Sequence, residues 1–68
     1  MKVTYDKKAD AMYIYFVPGK KSTRTEEVGE GLLVDYSGKK VIGIEILDAS
    51  KVVPNPSSGK ISFTTAAV

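Results

Sequence analysis

The chain has 68 residues, ten Lys and Arg against eight Asp and Glu, a formal charge of +2, and neither cysteine nor histidine. That composition excludes disulfide staples, thiolate or imidazole metal centres and histidine-based acid–base catalysis, and the charge is too mild to point by itself to nucleic acid or a membrane surface. A chain this short buries only about 60% of its unfolded surface, so oligomerisation is the support left to it and a homodimer is the expected state.

Alternation of apolar and polar residues dominates the chain, and helical periodicity is scarce. Val3 and Tyr5 alternate with Lys2, Thr4 and Asp6 as a short first strand. DKKAD (6–10) is a turn, with an aspartate at each end able to bond nearby backbone N–H groups. AMYIYFV (11–17) is the strongest strand signal, aromatic and β-branched. It puts Met12, Ile14 and Phe16 on one face, taken as the inner one, and Tyr13 and Tyr15 on the other. Pro18 and Gly19 end it, and PGKKS is a loop. TRTEEV (23–28) carries charges between Thr and Val and suits a short edge strand. Gly29 and Gly31 suggest a bulge or bend.

LLVDY (32–36) and KVIGIEIL (40–47) are strands on either side of a turn at SGK. A three-residue loop ending at Gly38, a type I turn with a glycine bulge, sets Leu32 and Val34 on the face of Ile42, Ile44 and Ile46. A two-residue Ser37-Gly38 loop would put Glu30 against Glu45, two like charges, so the longer loop is preferred. DASKVV follows, with Asp48 as N-cap and one helical turn near 49–53. Pro54 and Pro56 stop it. PNPSSGK (54–60) is a linker, and KISFTTAAV (60–68) reads as another strand that needs to be paired or covered. Residues 1–53 therefore form a single small β domain. Residues 54–68 are a linker and C-terminal strand that packs on the same or a neighbouring subunit.

The candidate chemistry is sparse. Glu45 alternates to the face opposite the isoleucines, with Val41 and Leu47. A catalytic carboxylate needs a second one at a set distance. Asp48 falls on the other face, so a hydrolase using Glu45 with Asp48 or Asp10 is the least favoured reading. A cross-strand base or an oligomer contact is the expected company of Glu45. Asp6 and Asp10, with Asp35, are conceivable oxygen ligands for a metal, but Asx-turn bonding and solvated charge account for them better, and Lys7 and Lys8 in the Asp6–Asp10 turn disfavour a divalent cation. PGKKST (18–23) fails the phosphate-loop pattern, because Lys20 is followed by Lys21 instead of Ser or Thr and Ile14 stands where the first glycine should be. VGEGLLV (28–34) has two glycines where a dinucleotide fingerprint wants three. No catalytic, cofactor-binding or metal-binding residue is assigned, and no cofactor is expected. Lysine pairs occupy the turns. In a simple meander Lys7 and Lys8 share an end with Lys39 and Lys40, and with Tyr13 and Tyr15 they offer a weak nucleic-acid surface. Tyr13, Tyr15 and Glu45 are the candidate interaction face, since tyrosine suits a protein contact that is apolar on one side and polar on the other.

No apolar run approaches the ~20 residues of a membrane span. MKVTYDKK lacks the apolar stretch of a signal peptide, and the absence of cysteine fits a reducing compartment. A cytoplasmic location is the expectation.

Two blocks carry a resemblance. YDKKADAMYIYF (5–16) looks like the YD-x-x-AD-x-x-YI block of a small prokaryotic family known as domain of unknown function number 2283. GLLVDYSGKKVIGIEILDAS (31–50) is similar to its second block, a G-hydrophobic-VDY stretch, a turn and VGIEILDAS. The resemblance covers residues 2 to 53. The turn at Ser37 to Lys40 is shorter than the acidic, glycine-containing turn of the family, and the tail beyond 53 is outside the shared pattern. The matched residues are Tyr5, Asp6, Ala9, Asp10, Tyr13, Ile14, Gly43, Glu45 and Asp48. The resemblance implies no activity and no catalytic residues. Some members are encoded beside toxin-like proteins, which implies a partner-binding or antitoxin-like role.

The expected fold is a mainly β, antiparallel meander of four to five strands with one short helical turn. The expected function is a non-enzymatic protein-interaction module. Weak nucleic-acid binding through lysine-rich turns and tyrosines is the alternative.

Overall fold

The computed structural model describes residues 1–59. The expected C-terminal strand at 60–68 lies outside the described residues. Five strands form one antiparallel sheet: β1 (Lys2–Asp6), β2 (Ala11–Tyr15), β3 (Arg24–Gly29), β4 (Leu32–Ser37) and β5 (Lys40–Leu47). Short 3-10 turns follow at Ala49–Lys51 and Pro56–Ser58. The chain is mainly β, as its alternation predicts.

The strand order is β1-β2-β5-β4-β3, which corrects the simple meander. The β1–β2, β3–β4 and β4–β5 hairpins form, but the β2–β3 hairpin of a meander does not, and β2 pairs with β5 instead. The physical reason lies in composition. β5 is the longest strand and carries three isoleucines, so it gains most from neighbours on both sides. β3 is exposed along its whole length and carries Arg24, Glu26 and Glu27, which suits a solvated edge. From β2 to β3 the chain must cross three inter-strand spacings, about 14 Å. Residues 16–23 can extend to roughly 26 Å, so the crossing is unstrained.

Two faces follow from register and alternation. Tyr5, Met12, Ile46 and Leu32 stand in one cross-strand row, and Val3, Ile14, Ile44 and Val34 in the next. The expected grouping of Leu32 and Val34 with the isoleucines holds, but by a different route. Ser37 pairs with Lys40 across a two-residue Gly38-Lys39 turn. Gly38 takes the left-handed φ of 61° that the first central position of a type II′ turn requires. A bulge then restores parity: Tyr36 faces Val41 while Asp35 faces Gly43, leaving Ile42 as the extra residue. Val41 is thereby opposite Tyr36, off the Glu45 face where simple alternation puts it. Glu45 faces Leu33, and the clash with Glu30 does not arise.

Burial is thin. Among the described residues only Ala11, Met12, Ile42, Gly43 and Ala49 are buried. Ile14, Ile44 and Ile46 are half-buried on one face, and Tyr13, Leu33 and Glu45 are half-buried on the other. The described residues form one sheet with no second layer among them, and such a sheet buries neither face fully.

Candidate functional site

The register brings the predicted interaction face together. Tyr13 pairs with Glu45, which pairs in turn with Leu33. Tyr15 heads the next row, opposite Gly43, with Asp35 and Thr25 beyond it. The rings of Tyr13 and Tyr15 stack with centroids 6.3 Å apart and planes 17° from parallel. That follows from their i, i+2 spacing on one strand face.

Glu45 meets an acid where a base was expected. Burial pushes the Glu45 pKa up from its ordinary value of 4.5, and a hydrogen bond to Asp35 and that residue's charge act in the same direction. Asp35 is held from the other side by the Thr25 hydroxyl, which donates to it at 2.6 Å. The two carboxyls sit diagonally across β4 and β5, a placement that requires the register and so escapes a reading by strand. Gly43 lies between them and lines a small pocket of about 110 Å³ with Tyr15, Val17, Lys20, Ser22, Asp35 and Ile42.

Asp10 does not join Glu45. It sits at the end of the β1–β2 turn with φ 51° and accepts three hydrogen bonds. These come from the Tyr5 hydroxyl at 2.7 Å, the Ser50 hydroxyl at 2.7 Å and the Ser50 N–H at 3.0 Å. The Ser50 and Tyr5 bonds hold its pKa below the ordinary 3.8. The Asp10 carbonyl also accepts from the Ala49 N–H at 2.9 Å. Asp10 thus ties the first hairpin to the segment after β5, 40 residues away, and not to its own turn as the sequence suggests. Asp6 does serve its own turn, accepting from the N–H groups of Lys8 and Ala9. Asp48 occupies the N-cap position with a left-handed backbone, φ 50°, and makes no side-chain cap bond, which corrects its expected role. Asp6, Asp10 and Asp35 therefore serve separate local purposes. No group of three or more acidic side chains among the described residues could hold a metal ion.

The lysine turns are placed by strand direction, which alternates along the chain in this antiparallel sheet. β2 ends, and β5 begins, at one end of the sheet, so Lys39 and Lys40 lie at the end opposite Lys7 and Lys8. The expected sharing of an end by these two pairs is thus overturned, because the first and fourth connections of alternating strands fall at opposite ends. The 16–23 connection instead carries Lys20 and Lys21 across the ends of β5 and β4. Thr23 fixes it there: its N–H donates to the Tyr36 carbonyl at 2.7 Å, and its hydroxyl accepts from the Gly38 N–H at 2.9 Å. Val17-Pro18-Gly19-Lys20 closes as a turn, with the Lys20 N–H donating to the Val17 carbonyl at 3.3 Å. Gly19 at φ 82° supplies the left-handed third position of a type II turn after proline. Arg24 lies over the Tyr36 ring at 4.2 Å and pairs with Glu26 at 3.3 Å.

No helix among the described residues is long and apolar enough to cross a membrane. The two sequence blocks that meet on the Tyr13–Glu45 row both lie within the stretch that a family model matches. No curated protein and no solved structure matches the chain. The family model covers residues 2–50, which take in all five strands and the start of the turn tied to Asp10, and the chain belongs to the family described as protein of unknown function DUF2283.

Proposed function

We propose that this protein is a non-enzymatic protein-interaction module whose first partner is a second copy of itself, docked on the Tyr13–Tyr15–Glu45 face. The observation that carries this reading is that the described residues form a single-layered sheet. Tyr15 is 37% exposed and Leu47 39% exposed on that face, and Tyr13 and Leu33 are half-buried beside them. Burying such a face gains about 25 cal/mol per Å² of apolar area. Tyrosines add rigid contact area with a polar tip, which favours them at interfaces. The opposite, aliphatic face is the one from which Tyr5 reaches Asp10 and, through it, the segment after β5.

A different partner protein, towards which this chain would play an antitoxin-like role, would use the same surface by exchange with the second copy. The test is mass by light scattering at micromolar concentration. The wild-type chain is expected at twice its 7.3 kDa. A Tyr13→Thr, Tyr15→Thr variant, which keeps β-favouring residues, is expected as a folded monomer. A monomeric wild type, or a variant that remains a dimer, overturns the assignment.

A further inference from the structure

The end of the sheet that carries Lys20 and Lys40 has a chemistry of its own. The two connections that build it, residues 16–23 and 37–40, contain four lysines and no acid. Lys2 also lies there, since it pairs with Tyr15. The far end carries Asp6, Asp10, Glu30 and Asp48 against Lys7, Lys8 and Lys51. The near-neutral chain is therefore polarised along its strands.

At the basic end lies a pocket of about 310 Å³ lined by Val17, Lys20, Ser37, Lys40 and Ile42. We propose that this pocket is a phosphate-binding site, in which Lys20, Lys40 and the Ser37 hydroxyl hold a phosphate carried by single-stranded nucleic acid or by a free nucleotide. Lysine ammonium groups bind phosphate as point charges, and a serine hydroxyl adds a directed donor. Val17 and Ile42 supply an apolar wall for the sugar. The site is braced before any ligand arrives, because Thr23 links its two loops and the Phe16 and Val17 N–H groups both reach the Ile42 carbonyl. Asp35 lines the adjoining small pocket beside Lys20 and repels an anion, which keeps the phosphate at the outer, lysine-rich mouth. Neither Tyr13 nor Tyr15 lines this pocket, although Tyr15 lines the adjoining one with Val17, Lys20 and Ile42, so the site borders the tyrosine face without drawing a ligand group from it.

This is not the phosphate loop that PGKKST superficially resembles. The lysines come from two different connections, and they meet only because β5 lies beside β2.

The experiment uses the intact chain with three probes: a labelled twelve-residue oligothymidylate, thymidine monophosphate and inorganic phosphate. If two backbone phosphates are engaged, oligonucleotide binding should weaken about sevenfold between ~50 and ~200 mM salt, from a slope near −0.7 per phosphate on single strands. Lys20→Glu with Lys40→Glu should weaken it about tenfold or more. The same charge change at the far end, Lys7→Glu with Lys8→Glu, should change it less than about twofold. Lys20→Gln with Lys40→Gln serves if the charge reversal unfolds the chain, and circular dichroism checks each variant. A strong preference for the oligonucleotide identifies nucleic acid as the source. Equal binding of the monophosphate identifies a free nucleotide. Failure of all three probes at ~50 mM salt, or equal losses in the two double variants, overturns the site.

Discussion

Asp10 and Glu45 respond to their surroundings in opposite directions, and together they set how stability depends on pH. The folded-state pKa of Asp10 is lowered by bonds from Ser50 and Tyr5. Its contribution is present above the ordinary value of 3.8 and is lost as the pH falls below that through the folded value. Glu45 is raised, by burial first and by Asp35 second. Its folded form binds the proton more tightly than the unfolded chain does. Its contribution is therefore full below the ordinary 4.5 and is lost as the pH rises through the folded value. Tyr5 is raised above 10.0, chiefly by its bond to Asp10, so its share is lost in strong alkali. Melting temperature is expected to climb from neutral pH towards the ordinary Glu45 value, then fall in stronger acid. Glu45→Gln should raise the melting temperature at pH 7 and flatten the climb. Asp10→Asn should lower the melting temperature at pH 7 and flatten the acid fall. A melting series in both variants checks this, and a wild type that only loses stability below neutrality contradicts it.

Among the elements, β5 depends most on close approach. A Cβ built on Gly43 would stand 2.8 Å from the Ile14 carbonyl oxygen of β2 and 3.8 Å from an Asp35 carboxylate oxygen. The first contact is with backbone and cannot be relieved by a rotamer. Gly43→Ala should force β2 and β5 apart and cost about 1–3 kcal/mol, as overpacking does. Urea unfolding measures it, and an unchanged midpoint refutes it. The existence of all five strands was legible in their alternation and in their Gly and Pro boundaries, and so was the separation of Tyr13, Tyr15 and Glu45 from the isoleucines. The bulge at Ile42 was not legible, because one extra residue in a strand leaves no mark on an apolar run. The order of strands was not legible either, because β2 to β3 has the length of an ordinary loop. The proximity of Asp35 to Glu45 and of Lys20 to Lys40 depends on those two features, so both sites were hidden with them.

At the scale of the whole molecule, a sheet with two half-buried faces draws stability from whatever covers it. If the cover is a second copy, folding is linked to association, and the melting temperature must rise with protein concentration. A hundredfold increase in concentration is expected to raise it measurably in the wild type and to leave the Tyr13→Thr, Tyr15→Thr variant unmoved. A flat wild-type series would mean that the copies do not share a folding transition. The strand order also bears on the order of events during synthesis. The strand at the centre of the sheet, β5, is the last of these five to be made, ending at Leu47. Before it leaves the ribosome, β1 with β2 and β3 with β4 exist only as two hairpins, each marginal alone in water. Neither can join the other without the strand that both require. β2 and β4 therefore wait with unpaired edges until Ile42, Ile44 and Ile46 arrive between them.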